Sequence, residues 1–322
     1  MNSPCSDCHD VSRRGFLKTT AFASAALAAG NVTAAPTMKS KAEKLSAELF
    51  YSLNDQQRKI MALPFNHKLR QKTENNWSIT ETFEKVLTAD QTDLAKQAFL
   101  AMHSEEYRDA VLKQFVHDNN KFSRGSIAFF GDPKTDKFQM VFTGRHTTRR
   151  VDGNSVGGAT FGGPIFYGHA VRGTEKKDHQ GNVYWYQAKQ ANKLFSMLNG
   201  KQREQALEAK GRREQSAKTV KLKGKGADLE GIAFGDLAKD QKGQVNKVIA
   251  DLLALFRKED RDEALKQINA NGFDNHHIAF YKHGDIGDDR VWDVWQIEGP
   301  AMVWYFRGEP HVHTWAHIRA KA

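Results

Sequence analysis

The residues richest in chemistry stand near the C-terminal end, in the run Glu309-Pro310-His311-Val312-His313-Thr314-Trp315-Ala316-His317. In an extended strand side chains alternate between faces, so His311 and His313 share one face with backbone positions about 7 Å apart. Two imidazoles at that separation can close on one metal ion. His317 has the same parity but stands about 13 Å beyond His313, and joins the site only if the chain bends. A third donor is expected from His146, in Phe142-Thr143-Gly144-Arg145-His146-Thr147, or from His169, in Phe166-Tyr167-Gly168-His169. Each is set among glycines and aromatics, which permit close backbone approach and burial. His276 and His277 are weaker candidates, because adjacent strand residues face opposite ways. Glu298 and Asp293, with Glu309, lie close enough in sequence to orient an imidazole or act as a general base. Three neutral imidazoles with an open position suit zinc or copper, and iron less well.

Other chemistries are poorly served. The stretch Gly157-Gly158-Ala159-Thr160-Phe161-Gly162-Gly163-Pro164 lacks the Lys-Ser/Thr ending of a phosphate-cradling loop and reads as a turn. The chain has no H-E-x-x-H helix. The histidine pattern defines a binding set, not a reaction.

The elements that must position these residues come in two series. Segments 41–62 and 88–117 carry apolar residues at helical spacing, as in Leu94, Ala98 and Ala101. The period then changes to two: Phe138, Met140 and Phe142 alternate with Gln139, Val141 and Thr143, and Trp292, Val294 and Gln296 alternate with Asp293, Trp295 and Ile297. Four echoes recur in the same order. Residues 49–58 return at 194–203, Leu87-Thr88-Ala89-Asp90-Gln91 at Leu237-Ala238-Lys239-Asp240-Gln241, Ile127-Ala128-Phe129-Phe130 at Ile278-Ala279-Phe280-Tyr281, and Phe161-Gly162-Gly163-Pro164 at Phe306-Arg307-Gly308-Glu309-Pro310. They argue for an internally duplicated α+β unit of helices followed by mainly antiparallel strands. The expected copies are 35–190 and 191–322, packed pseudo-twofold in one compact domain, which would bring the strand-rich region of His146 and His169 to a seam with His311 and His313. A basic linker, residues 210–226, carries seven cations against the single acid Glu214.

The first residues hold two conflicting signals. Cys5-Ser6-Asp7-Cys8-His9 matches a haem-attachment pattern, while Ser12-Arg13-Arg14-Gly15-Phe16-Leu17-Lys18 matches a twin-arginine export signal. An Ala-rich apolar stretch and Val32-Thr33-Ala34 follow, as in a cleavable leader over residues 1–34. The haem motif precedes the apolar stretch and would be discarded with it, so no haem is expected. Both cysteines go with it, leaving His, Asp and Glu as the only ligands for a metal. The expected location is periplasmic or exported, with the twin-arginine translocation machinery as a partner and no membrane span in the mature chain. The formal charge of +10 suits an anionic envelope ligand. Nucleic acid is not expected, since the basic run has no interleaved aromatics. Two functions follow: an exported metal-binding protein, possible metalloenzyme included, or a metal-free envelope protein holding an anionic or glycan-like ligand on basic and aromatic surfaces.

Several stretches resemble one family. Ser52-Leu53-Asn54-Asp55-Gln56-Gln57-Arg58, Pro64-Phe65, Asn76-Trp77, Leu87-Thr88-Ala89-Asp90-Gln91, Gly144-Arg145-His146, Ile297-Glu298-Gly299-Pro300 and His311-Val312-His313-Thr314-Trp315 are similar, in order, to landmarks of the bacterial and fungal family named domain of unknown function 3500. The resemblance implies a shared architecture over most of the mature chain and draws attention to His146, His311 and His313. The chain departs from it at Arg145 and Glu298, where the resemblance implies histidine, and near Tyr305, where it implies an acid.

Overall fold

The computed structural model describes residues 40–153, 155–170, 183–285, 292–308 and 311–322. The expected leader, with Cys5, Cys8 and the arginine pair, lies outside them, as do Glu309 and Pro310. All the described residues belong to one unit, Ala34–Ala322.

Local sequence sets the helix starts. Helix α1 (Lys41–Ser52) opens on Ser40, whose hydroxyl accepts from Glu43 N while the Glu43 carboxylate accepts from Ser40 N. The same reciprocal arrangement satisfies two otherwise orphaned donors at α2 (Asp55–Met61) through Asn54 and Gln57, and at α4 (Ala89–Ala101) through Thr88 and Gln91. Between these lies the short α3 (Phe83–Val86), and α5 (Arg108–Asn119) follows. The second series runs α6 (Trp185–Met197), α7 (Gly200–Ala206), α8 (Lys239–Leu253) and α9 (Lys258–Ala270). Asn199 and Gln202 cap α7 as Asn54 and Gln57 cap α2. The capping glutamines also tie helices together, Gln57 Nε2 donating to Gln91 Oε1 at 2.7 Å and Gln202 Nε2 to Gln241 Oε1 at 2.9 Å.

The strands are β1 (Ala62–Leu63), β2 (Ser126–Gly131), β3 (Phe138–Gly144), β4 (Thr147–Val151), β5 (Ile165–His169), β6 (Leu207–Glu208), β7 (Ile232–Ala233), β8 (His277–Tyr281), β9 (Val294–Gly299), β10 (Met302–Arg307) and β11 (Val312–Ile318). They form one sheet in the order β1-β2-β3-β4-β5-β11-β10-β9-β8-β6, with β7 paired to β8. The pairings β1 with β2 and β6 with β8 are parallel, and the others are antiparallel. The fold is therefore α+β on a mostly antiparallel sheet.

Period two decides which side chains meet the helices. Met140, Phe142, Trp304, Phe306, Val312 and Ala316 belong to the main core shared with the helices. The alternating positions do not reach solvent, because extended segments cover the other face. Val141, Ala128 and Phe130 pack with Leu63, Phe65, Leu69 and Trp77. Phe166, Val303, Tyr305 and Trp315 pack with Val220 and Leu222 of the basic linker. That linker is more than a solvated loop: Thr219 and Val220 are buried, and Arg212 bonds Gln296 Oε1 at 2.7 Å and Glu298 Oε1 at 2.8 Å. Its lysines Lys210, Lys218, Lys221, Lys223 and Lys225 stay exposed.

Candidate metal centre

Three histidines converge where β3 and β5 end and β11 begins. His146 occupies the tight β3–β4 connection, between the paired residues Gly144 and Thr147, with φ of 57°. A non-glycine residue in the left-handed region is held there at a cost. The neighbours that hold it are specific. His146 N donates to Asn75 O at 2.7 Å, Gly168 N donates to His146 O at 3.2 Å, and Asn119 takes both backbone groups of Arg145, its Oδ1 accepting from Arg145 N and its Nδ2 donating to Arg145 O.

His313 sits on β11 opposite Gly168 of β5 and Arg307 of β10. Glycine at 168 is a requirement of close approach. A Cβ there would lie 2.3 Å from Val312 O and 3.4 Å from the Cδ2 atoms of both His146 and His313. His311 precedes the strand and shares the face of His313, as period two demands.

The Nε2 atoms face one another. His146 Nε2 is 3.1 Å from His311 Nε2, and His311 Nε2 is 2.9 Å from His313 Nε2. Behind them, each outer ring is braced by a carboxylate. Asp118 Oδ2 accepts from His146 Nδ1 at 2.7 Å, and Glu214 Oε2 accepts from His313 Nδ1 at 2.6 Å. Asp118 is itself fixed by Gln114 Nε2 and by Ala170 N, and Glu214 by Arg307. Burial alone would raise the Glu214 carboxyl, but the His313 N–H and the Arg307 cation outweigh it and hold Glu214 below its ordinary range.

With Nδ1 carrying the proton on both outer rings, their Nε2 atoms present lone pairs. His311 Nε2 has one proton at most and can satisfy only one of its two contacts. An additional proton is disfavoured at neutral pH: burial first, then the neighbouring His313, His146, Arg307 and Arg145, bring His311 down to about 3, and burial brings His313 down to about 4. The trio thus aims three nitrogens at one point with too few protons among them.

Of the residues singled out in the sequence, His146, His311 and His313 come together. His169 lies beside them in a second group with His117 and Asp118. His317 stays within β11 and bonds Val220 O through Nδ1 at 3.1 Å, apart from the trio. Glu298 is engaged by Arg212 and Lys223, and Asp293 is buried beside Gly308, whose N–H donates to the Asp293 carbonyl at 2.6 Å. The carboxylates that touch the imidazoles are Asp118 and Glu214. Neither lies near the histidines in sequence; the one available signal was Glu214 standing as the lone acid in a basic run.

The architecture and site define an α+β protein with a carboxylate-braced histidine trio. A family model described as "Protein of unknown function (DUF3500)" matches residues 35–321, and the chain belongs to that family. No curated protein and no solved structure matches the chain.

Proposed function

We propose that this is an exported metal-binding protein in which His146, His311 and His313 hold one divalent ion through their Nε2 atoms. The observation that carries the reading is the crowding of three imidazole nitrogens that their shared protons cannot satisfy, each outer ring turned so that its lone pair faces inward. Ligand nitrogens about 2.0–2.1 Å from a tetrahedral zinc stand about 3.3 Å apart, so small outward shifts suffice. Carboxylates on the remote ring nitrogens are the usual means of fixing tautomer and raising ligand basicity. Zinc or copper suits the set. A fourth position left to water would lower its pKa to about 7, the starting point for metal-hydroxide hydrolysis.

Export rests on the Ser12-Arg13-Arg14-Gly15-Phe16-Leu17-Lys18 leader, and it gives the trio a rationale, since a route that carries folded chains allows loading before translocation. The two halves read as copies of one unit. The matched Gln57–Gln91 and Gln202–Gln241 bonds and the arrangement of four strands along the sheet on either side of the β5–β11 pair support this reading. Elemental analysis of the exported chain, purified without a metal-binding tag, tests the function. Near-stoichiometric metal that is lost in His311→Ala/His313→Ala is expected; a folded wild-type chain that neither carries nor takes up metal overturns the reading.

The exposed lysines on the packed 210–226 segment favour a second reading, binding of an anionic envelope ligand without metal. Binding of that kind is salt-sensitive and survives a strong chelator.

A further inference from the structure

The carboxylate that braces His146 has a second side. Asp118 Oδ1 lies 3.2 Å from His117 Nδ1, and donor atoms of His117, Asp118 and His169 all stand within 4.8 Å of one another. The group joins the last turn of α5 to the end of β5. Ala170 N ties the two elements by donating to both Asp118 oxygens, at 3.2 and 3.3 Å. The Asp118 side chain is fully buried and His169 is buried, whereas the His117 side chain is 41% exposed. The rings of His117 and His169 lie 6.1 Å apart between centroids. The group is thus walled by the protein on two sides and reached from solvent past the third residue.

We infer that His117, Asp118 and His169 form a second divalent-metal position, separate from the histidine trio and linked to it through Asp118. Two imidazole nitrogens and a carboxylate oxygen are a recognised donor set for zinc and its neighbours. Ligands about 2.0–2.2 Å from one ion stand at most about 4.4 Å apart, so a small rotation of the exposed His117 closes the group. Asp118 then presents Oδ1 to this ion and Oδ2 to the His146 N–H. A cation on one oxygen draws charge from the other and weakens the brace on His146. Each ion therefore lowers the affinity for the other, and by linkage the effect is equal in both directions.

The test is zinc titration of the metal-free full chain by calorimetry, with elemental analysis after dialysis. Wild type is expected to bind two equivalents of unequal affinity. His117→Ala, at an exposed position that does not endanger folding, is expected to leave one, and His311→Ala/His313→Ala to leave the other. One equivalent in wild type that is unchanged in His117→Ala overturns the second position, as do two equivalents retained in that variant. One equivalent lost in His117→Ala but indifferent to His311→Ala/His313→Ala supports this position while overturning the trio. No binding at all overturns both.

Discussion

Glu214 Oε2 and His313 Nδ1 meet at 2.6 Å although 99 positions separate them in the chain. The contact makes the basic segment part of the site, because the same run that buries Val220 over β10 and β11 delivers the carboxylate that sets the tautomer of His313. Replacing Glu214 by Gln keeps the size and removes the charge. Metal affinity is expected to fall by roughly 10- to 100-fold in Glu214→Gln, and similarly in Asp118→Asn, measured by competition with a chromophoric chelator. Unchanged affinity in both variants would show that the carboxylates do not serve the trio.

Gly168→Ala is expected to disturb the site from the strand below it. The added Cβ clashes with Val312 O and comes into contact with both His146 and His313, so any shift that relieves the clash moves against the two rings. Either β5 and β11 separate or the strand bends, at a cost of about 1–3 kcal/mol. Urea unfolding of the metal-free chain reads the stability loss, and zinc titration should show weakened binding. Wild-type values in both would mean that the strand pair yields more easily than its packing suggests.

Helix α8 should be open to simple stabilisation. Ala238 stands at its N-cap, where Thr88 stands before α4, and cannot accept from the first turn although Gln241 Oε1 still accepts from Ala238 N at 2.8 Å. Ala238→Ser is expected to add about 1 kcal/mol. Gly243, inside the same helix, is exposed and has nothing within 4 Å of a built Cβ, so Gly243→Ala is expected to add roughly another 1 kcal/mol. Thermal melts of the two single variants and the double variant check both values and their additivity.

Acid should destabilise the chain through His103. Its Nδ1 donates to Phe99 O at 2.8 Å and its Nε2 accepts from Arg149 Nε at 3.3 Å, so the ring is neutral with both nitrogens used. Burial, and then the Arg149 cation, push it down to about 3. Between that value and the ordinary 6.5, the unfolded chain binds a proton that the folded chain refuses, so stability is full above pH 6.5 and falls as pH drops. The slope from this one group approaches about 1.4 kcal/mol per pH unit. Urea midpoints at pH 7 and pH 5 should differ less in His103→Gln than in wild type; an equal difference would remove His103 from the account.

Much of the site was legible from local rules. Parity alone placed His311 and His313 on one face, and the helical spacing over 41–62 and 88–117 falls on α1, α2, α4 and α5. The choice between His146 and His169 was not legible. It turns on a positive φ at a two-residue connection and on Asn75 and Asn119, which approach from distant segments. The braces were hidden for the same reason. Asp118 ends a helix and Glu214 lies in a charged run, and nothing in the local pattern of either says which ring it will face. Polar residues at Gln296 and Glu298 are the pattern of a sheet face open to water, yet the linker lies over them, with Arg212 donating to the Gln296 amide oxygen and pairing with the Glu298 carboxylate.

Strand β11 follows the other described strands in sequence yet occupies the middle of the sheet. Pairing β11 with β5 joins Val312 to His169, and pairing it with β10 completes the order from edge to edge. Until β11 pairs, β5 and β10 each present a bare edge, and the two series of elements have no common sheet. Such a chain must wait in an unfinished, aggregation-prone form, and its closing step brings together positions far apart in sequence, which is slow. His311 and His313 travel on that same closing piece. A chain cut before His311 can build every described helix and still lack two of the three inward nitrogens, so assembly of the trio reports closure of the sheet.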